Sequence, residues 1–137
     1  MNETTLKMHT FTTQLLIEVE LWDKLKGIYR SLYLTFDTGA VISTLPAETL
    51  HNMGYEPSRT GRNMITTASG VEFVSQYTLD RLNLNGIELS DVDVYALKFP
   101  EESFSLGVIG LNILRNFDIE LLFSQNIVKL KRIGNNT

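Results

Sequence analysis

Apolar and polar residues alternate with a period of two along most of the chain, a pattern typical of β-strands that bury one face. The runs TTQLLIEVELW and GIYRSLYLTF, joined by the charged turn DKLKG, predict a first hairpin. MITTASGVEFVSQYTL predicts a second hairpin with its turn at Ser69-Gly70, and RLNLNGIELSDVDVYAL predicts a third around Asn85-Gly86. DIELLF and IVKLKRI, separated by SQN, predict a final hairpin.

Helical signals are confined to two short stretches. VISTL continues as a strand, and Pro46 then opens the stretch PAETLHNMGY, in which Glu48 suits the first turn and Gly54 a C-terminal stop. LGVIGLNILRNF begins as a buried strand and is expected to turn helical after Gly110. The sequence therefore predicts a mainly β fold built from hairpins, with one or two short helices.

The 137 residues suit one domain with a proper core. Residues 1–11 are predicted to be a polar lead-in without a packing pattern, residues 12–133 the folded domain, and residues 134–137 a tail. SDVDV, residues 90–94, alternates so that Asp91 and Asp93 are expected on the solvent face of a strand. His9 and His51 have no ligand-like neighbours and are expected at the surface.

Composition narrows the function classes. Hydrophobic residues make up 43% and charged residues 20%, as in an ordinary globular protein, and the net charge of -4 has no basic block. This argues against nucleic acid as a partner. The chain has no cysteine, which excludes disulfides and thiolate catalysis. No apolar run approaches the roughly 20 residues that span a bilayer, and no signal-peptide pattern is seen, so a cytoplasmic location is the default expectation.

A polar cluster interrupts the apolar pattern at LYLTFDTGAVISTLP, residues 32–46. A carboxylate, a hydroxyl and a glycine, Asp37-Thr38-Gly39, stand between two runs that look fully buried. Gly39 lets the chain turn sharply after the carboxylate, and Thr38 supplies a hydroxyl that donates and accepts. Alone, such a tripeptide is also typical of a plain β-turn.

The stretch FDTGA resembles the active-site turn of aspartic proteases, and VIGLNIL, residues 108–114, resembles the apolar-apolar-glycine strand and helix start of retropepsin-like members. Val108, Ile109 and Gly110 match that strand, and Asn112 lies in the helix start. The hairpin MITTASGVEF lies between the two motifs, where the family places its flap. The resemblance covers about residues 12–133 and implies an acid-protease β-barrel, closed or partly open.

The resemblance implies an aspartic endopeptidase in which two carboxylates share one proton and activate a water molecule, without a metal or an organic cofactor. Asp37 would be the catalytic residue, and Thr38, Gly39 and Ala40 would support it. No other aspartate precedes Thr-Gly or Ser-Gly, so the second carboxylate would come from a homodimer, with Thr38 of each copy holding the pair coplanar. The tip of the flap, residues 67–70 (Thr67, Ala68, Ser69 and Gly70), would contact a peptide substrate.

Two departures and two alternatives accompany this interpretation. The long C-terminal hairpin and the extended lead-in differ from viral members, whose dimers use short terminal strands, and are more similar to the bacterial and cellular branch. One alternative is a catalytically weak or inactive dimeric peptide-binding or assembly module on the same fold. The other is a protease that acts only within a larger assembly or on one dedicated partner.

Overall fold

A computed structural model describes residues 2–10, 14–58, 62–67, 70–97 and 107–134. The described chain is mainly β, as predicted. Its strands are β1 Glu3–His9, β2 Leu16–Asp23, β3 Ile28–Phe36, β4 Thr44–Pro46, β5 Arg62–Thr67, β6 Gly70–Leu84, β7 Ile87–Leu97, β8 Val108–Ile109, β9 Phe117–Leu122 and β10 Ile127–Arg132. Its helices are α1 Ala47–Asn52 and α2 Leu111–Leu114, and a 3-10 turn covers Phe123–Gln125.

The strands form a single sheet in the order β5-β6-β7-β4-β8-β3-β2-β1-β10-β9. An additional pairing between β6 and β2 makes the sheet fold back on itself around the core. The hairpins β2–β3, β5–β6, β6–β7 and β9–β10 are antiparallel, as the alternation predicted. Two parallel pairings, β3 with β8 and β4 with β7, join segments that lie far apart along the chain.

The turns follow the chemistry of their residues. Asn85 and Gly86 both have positive φ, 44° and 105°, as a two-residue hairpin turn requires. Asn126 adopts the left-handed conformation before β10. Pro46 lies at the N-cap of α1, one residue before the position predicted for it, and Gly54 follows the helix with φ of 89°.

The core collects the inward-facing residues of all the longer strands. Val19 and Leu21 of β2 and Leu79 and Leu84 of β6 are completely buried. At an order of 25 cal/mol per Å² of apolar surface, this burial is the main stabilising contribution to the fold. Among the described residues, no helix is long and apolar enough to cross a membrane.

Two sequence predictions about individual segments were wrong. Residues 3–9 are not a lead-in without packing, because they form β1, which pairs with both β10 and β2 and buries Leu6 and Met8. The strand predicted over VISTL begins only at Thr44, because the chain is still turning at residues 38–42. The polar stretch FPEESFS, residues 99–105, whose composition predicts a loop, lies outside the described residues.

The burial of Leu6 makes a prediction about β1. Leu6→Ala should lower the free energy of unfolding by about 2–5 kcal/mol, because it opens a cavity beneath the β1–β10 pairing. The neighbouring Lys7 faces solvent, so the control Lys7→Ala should change the free energy by less than about 0.5 kcal/mol. Urea unfolding of both variants measures the difference. Equal stability of Leu6→Ala and wild type would contradict a core role for β1.

Candidate active site

Asp37 directly follows β3, at the point where β8 runs alongside it. The parallel register pairs Thr35 with Val108 and Phe36 with Ile109, and the Asp37 amide donates to the Ile109 carbonyl at 3.1 Å. The two sequence motifs, more than 70 residues apart, are therefore hydrogen-bonded neighbours.

The turn after Asp37 organises its own polar groups. The Gly39 amide donates to Oδ1 of Asp37 at 2.8 Å, and the Ala40 amide donates to the Asp37 carbonyl at 3.3 Å. These bonds fix the carboxylate relative to the backbone. A Cβ at Gly39 would lie 3.1 Å from that same Oδ1, so glycine allows the amide and the carboxylate to approach closely.

The turn is accessible in the single chain. Thr38 and Gly39 are exposed, while Asp37 and Ala40 are half-buried. The flanking apolar runs predict a buried turn, whereas the structure buries only the strands on either side of it. Asp37 is also the only charged residue between Arg30 and Glu48, so no cation close in sequence neutralises it.

Gly110 packs closely against the end of the Asp37 turn. A Cβ at this position would lie 2.7 Å from the Ala40 carbonyl oxygen and 3.1 Å from the Ile42 carbonyl carbon, both of them backbone atoms. The next two amides, those of Leu111 and Asn112, donate to the carbonyls of Ala40 and Val41 at 2.8 and 3.0 Å. The first residues of α2 are thus bonded to the end of the Asp37 turn, and only glycine fits at the junction.

Ser43 is a site residue that the sequence analysis missed. It is 1% exposed, and its hydroxyl accepts the Gly110 amide and donates to Oδ1 of Asn112, each at 2.8 Å. The Ser43 amide donates to the same Oδ1 at 2.8 Å, and Nδ2 of Asn112 donates to the Asp93 carbonyl at 2.7 Å. The side chain of Asn112 therefore ties the segment after the turn to β7. A hydroxyl inside an apolar run was the available signal, but its partner lies 69 residues away.

The predicted flap is described only in part. The β5–β6 pairing runs up to Thr67 opposite Gly70, so the predicted hairpin is present, but Gly70 is the first residue of β6 and not a turn residue as predicted. Ala68 and Ser69, at its tip, lie outside the described residues. Its role over a substrate stays a prediction.

Metal binding has no visible basis in the described part of the chain. Across those ranges, no three histidine, aspartate or glutamate side chains gather in a way that would hold an ion. Asp91 and Asp93 are exposed on β7, as expected, and Asp93 accepts a hydrogen bond from the Thr78 hydroxyl at 2.9 Å.

Comparison with known families decides what kind of protein carries this site. A family model described as gag-polyprotein putative aspartyl protease matches residues 30–116, which is more than half of the chain. The chain belongs to this family. The segment that matches the gag-type aspartyl protease model contains the Asp37 turn, the β5–β6 hairpin, β8 and Gly110. No curated protein sequence matches the chain significantly.

Solved structures show that the fold is retropepsin-like. A retropepsin-like aspartic protease from Rickettsia conorii matches with a TM-score of 0.66 and 16% identity, covering 95% of this chain and 90% of that one. The retroviral protease-like domain of Ddi1 from Leishmania major matches with a TM-score of 0.59 and 16% identity, covering 91% and 98%. EIAV protease, complexed with the inhibitor HBY-793, gives 0.59 and 16%, covering 78% and 90%.

The close approach at Gly110 makes a prediction about stability. Gly110→Ala should lower the free energy of unfolding by about 1–3 kcal/mol, because the new methyl group meets two backbone atoms that cannot move aside independently. Gly134→Ala is the matched control, since among the described residues, its own chain neighbours aside, no atom lies within 4 Å of the position that its methyl group would take. Urea denaturation of both variants measures the effect, and an unchanged stability of Gly110→Ala would show that the junction tolerates a side chain.

The hydrogen bonds of Ser43 make a second prediction. Ser43→Ala leaves the Gly110 amide without its acceptor and should cost about 1–3 kcal/mol of unfolding free energy. A double-mutant cycle with Asn112→Ala should give a coupling of at least about 0.5 kcal/mol, since the two side chains share one network.

The adjacent residue supplies the control for that cycle. Thr44 is also buried, and among the described residues its Oγ1 has no hydrogen-bond partner. Thr44→Val should therefore leave stability unchanged or raise it slightly. If Ser43→Ala behaved in the same way, the network would have no energetic role.

Proposed function

We propose that this protein is an aspartic endopeptidase that hydrolyses peptide bonds with water activated between two Asp37 carboxylates of a homodimer. The observation that carries the proposal is the Asp37 turn itself. Its carboxylate accepts the Gly39 amide and is half-buried at the end of β3, and Gly110 packs closely against the backbone of Ala40 and Ile42 at the end of the turn. The family membership and the retropepsin-like fold support the assignment.

A second copy supplies the missing half of the site in this proposal. The other five aspartates of the chain are Asp23, Asp80, Asp91, Asp93 and Asp118, and none precedes Thr-Gly or Ser-Gly. Asp23 is in addition fully buried in an ion pair with Arg30, 3.0 Å between Oδ2 and Nη2. A two-fold axis beside Asp37 brings identical carboxylates together, because an isologous interface opposes each residue to its own counterpart near the axis.

The exposed face of the turn suits such an axis. Thr38 and Gly39 face outward in the single chain, and the Thr38 hydroxyls of two copies can hydrogen-bond across the interface and hold the two carboxylates in one plane. Two carboxylates held side by side do not both ionise readily, so the pair keeps one proton between them.

The chemistry then follows from one charged and one protonated carboxyl group. The charged group takes a proton from a bound water as the water oxygen attacks the peptide carbonyl carbon, and the protonated group gives its proton to the carbonyl oxygen. The resulting tetrahedral diol breaks its C–N bond as a carboxyl group returns a proton to the leaving nitrogen. No covalent intermediate with the protein forms, and no metal or cofactor takes part.

The substrate is an extended peptide in this proposal. The β5–β6 hairpin ends with Thr67 opposite Gly70, and its tip would lie over the bound peptide. Main-chain hydrogen bonds from a hairpin hold extended peptides, and closure of the hairpin excludes bulk water from the dyad.

Replacement of Asp37 tests the proposal. Wild type should cleave a diverse peptide pool at acidic pH, where a carboxyl pair holds one proton. Asp37→Asn keeps the shape of the side chain but loses the shared proton, and should be slower by at least about 10³-fold. Asp118→Asn is the matched control, because this exposed aspartate lies on β9, where it pairs with Lys131 of β10, and it should cleave like wild type.

The other outcomes separate the alternatives. Equal cleavage by wild type and Asp37→Asn would remove Asp37 from the chemistry and overturn the proposal. Silence from every protein would favour the peptide-binding module or a protease with one dedicated substrate. A statine-type mimic of the tetrahedral diol then distinguishes these, since only a catalytic dyad binds it much more tightly than a substrate-like peptide.

A further inference from the structure

Among the described residues, three large apolar side chains are exposed at the end of the sheet where Asp37 lies. They are Val41, Leu121 and Phe123, which are 66%, 38% and 65% exposed, and they are called the apolar rim below. Val41 follows the Asp37 turn directly, and its carbonyl accepts the Asn112 amide. Leu121 and Phe123 belong to the end of β9 and the 3-10 turn that follows it.

Strand register places the two parts of the rim at one end of the sheet. The Met8 amide donates to the Asn126 carbonyl at 2.8 Å, His9 pairs with Leu16, and Leu16 pairs with Thr35, two residues before Asp37. Three steps of roughly 4.8 Å between neighbouring strands separate Asn126 from Thr35, a lateral distance of about 15 Å. The 3-10 turn and the Asp37 turn therefore lie at the same end of the sheet, three strands apart.

The 3-10 turn that begins with Phe123 has a defined, hydrogen-bonded structure. The β9–β10 hairpin beneath it pairs through six residues, from Ile127 opposite Leu122 to Arg132 opposite Phe117. The Asn126 amide closes the turn on the Phe123 carbonyl at 3.3 Å, with Asn126 in the left-handed conformation. The turn therefore exposes the aromatic ring of Phe123 to water, which is unfavourable. Burial of the ring against another apolar surface would offset this free-energy cost.

Charge is absent from both parts of the rim. Residues 38–42 and 121–127 contain no charged side chain, although the whole chain has a net charge of -4. A two-fold contact opposes each surface to an identical copy, so any charge near the axis would face its own sign. An uncharged apolar surface beside Asp37 is what a symmetric contact at that point needs.

We propose that the apolar rim is the contact surface for a second copy of this chain, with Phe123 of each copy buried against the partner near the Asp37 pair. The inference rests on the proposed function, because it is the need for a second Asp37 that brings this end of the two copies together. It assigns the contact to the C-terminal hairpin turn and the segment after the Asp37 turn.

Sedimentation of the full chain over a range of concentrations tests the contact independently of catalysis. Wild type should dimerise, and Phe123→Ser should raise the dimer dissociation constant by roughly 100-fold, since two aromatic side chains lose their burial at about tenfold each. Val41→Ser should act in the same direction and provides a second variant. Circular dichroism confirms that each variant is folded.

Leu25→Ser is the matched control. Leu25 is 71% exposed, as apolar as the rim, and lies in the β2–β3 turn between Asp23 and Ile28, at the opposite end of those strands. The dimer dissociation constant of Leu25→Ser should equal that of wild type. Peptide cleavage by Phe123→Ser should fall at low protein concentration and recover at high concentration, because the rim acts on assembly and not on the dyad.

The outcomes separate this inference from the proposed function. A wild-type dimer that Phe123→Ser and Val41→Ser both leave intact would overturn the rim and leave the dyad standing. A dimer that the rim variants dissociate but that never cleaves peptide would support the rim and count against the protease. A chain that stays monomeric at every concentration would overturn both.

Discussion

The backbone contact between Gly110 and the segment 40–42 is the constraint on which the rest of the site depends. Because Gly110 has no side chain, its backbone can approach this segment closely. β8 therefore runs directly beside the end of β3, and the start of α2 bonds to Ala40 and Val41. The Asp37 turn is therefore held from one side by main-chain hydrogen bonds and open on the other. A rigid support with one accessible carboxylate face is the arrangement that a preorganised catalytic group requires.

Local sequence chemistry predicted the parts of the fold that local interactions determine. Alternation predicted four hairpins, Asn85-Gly86 marked its turn through the need for positive φ, and Asp37 stood out because a polar turn interrupts buried runs. Gly110 was singled out as a site residue only through the family resemblance of VIGLNIL. β1 was missed because its only inward apolar residues are Leu6 and Met8, set among polar neighbours. They become core residues only when β10, more than 100 residues later, pairs beside them. Ser43 was missed for the same reason, since its partners Gly110 and Asn112 lie far along the chain.

The exposure of the Asp37 turn changes how the apolar pattern around it is understood. The runs on either side predict that the turn itself is buried, yet Thr38 and Gly39 face solvent in the single chain. The two observations agree if the turn is buried by association and not by folding. The apolar rim supports the same interpretation, because it exposes apolar side chains and has no charge, although the whole chain is acidic.

In that arrangement, assembly, stability and activity are linked through one surface. A dimer that forms at the Asp37 axis removes folded monomer from the unfolding equilibrium, so a higher concentration stabilises the fold by mass action. The same association creates the shared-proton pair, which a monomer lacks whatever its stability. Substitutions in the two places should therefore have different effects. Loss of Gly110 or Ser43 lowers the stability of each copy. Loss of Phe123 leaves each copy folded but separates the two halves of the site. Unfolding at a concentration too low for the dimer to form distinguishes the two, because only the loss of Gly110 or Ser43 lowers the stability of the separate copy.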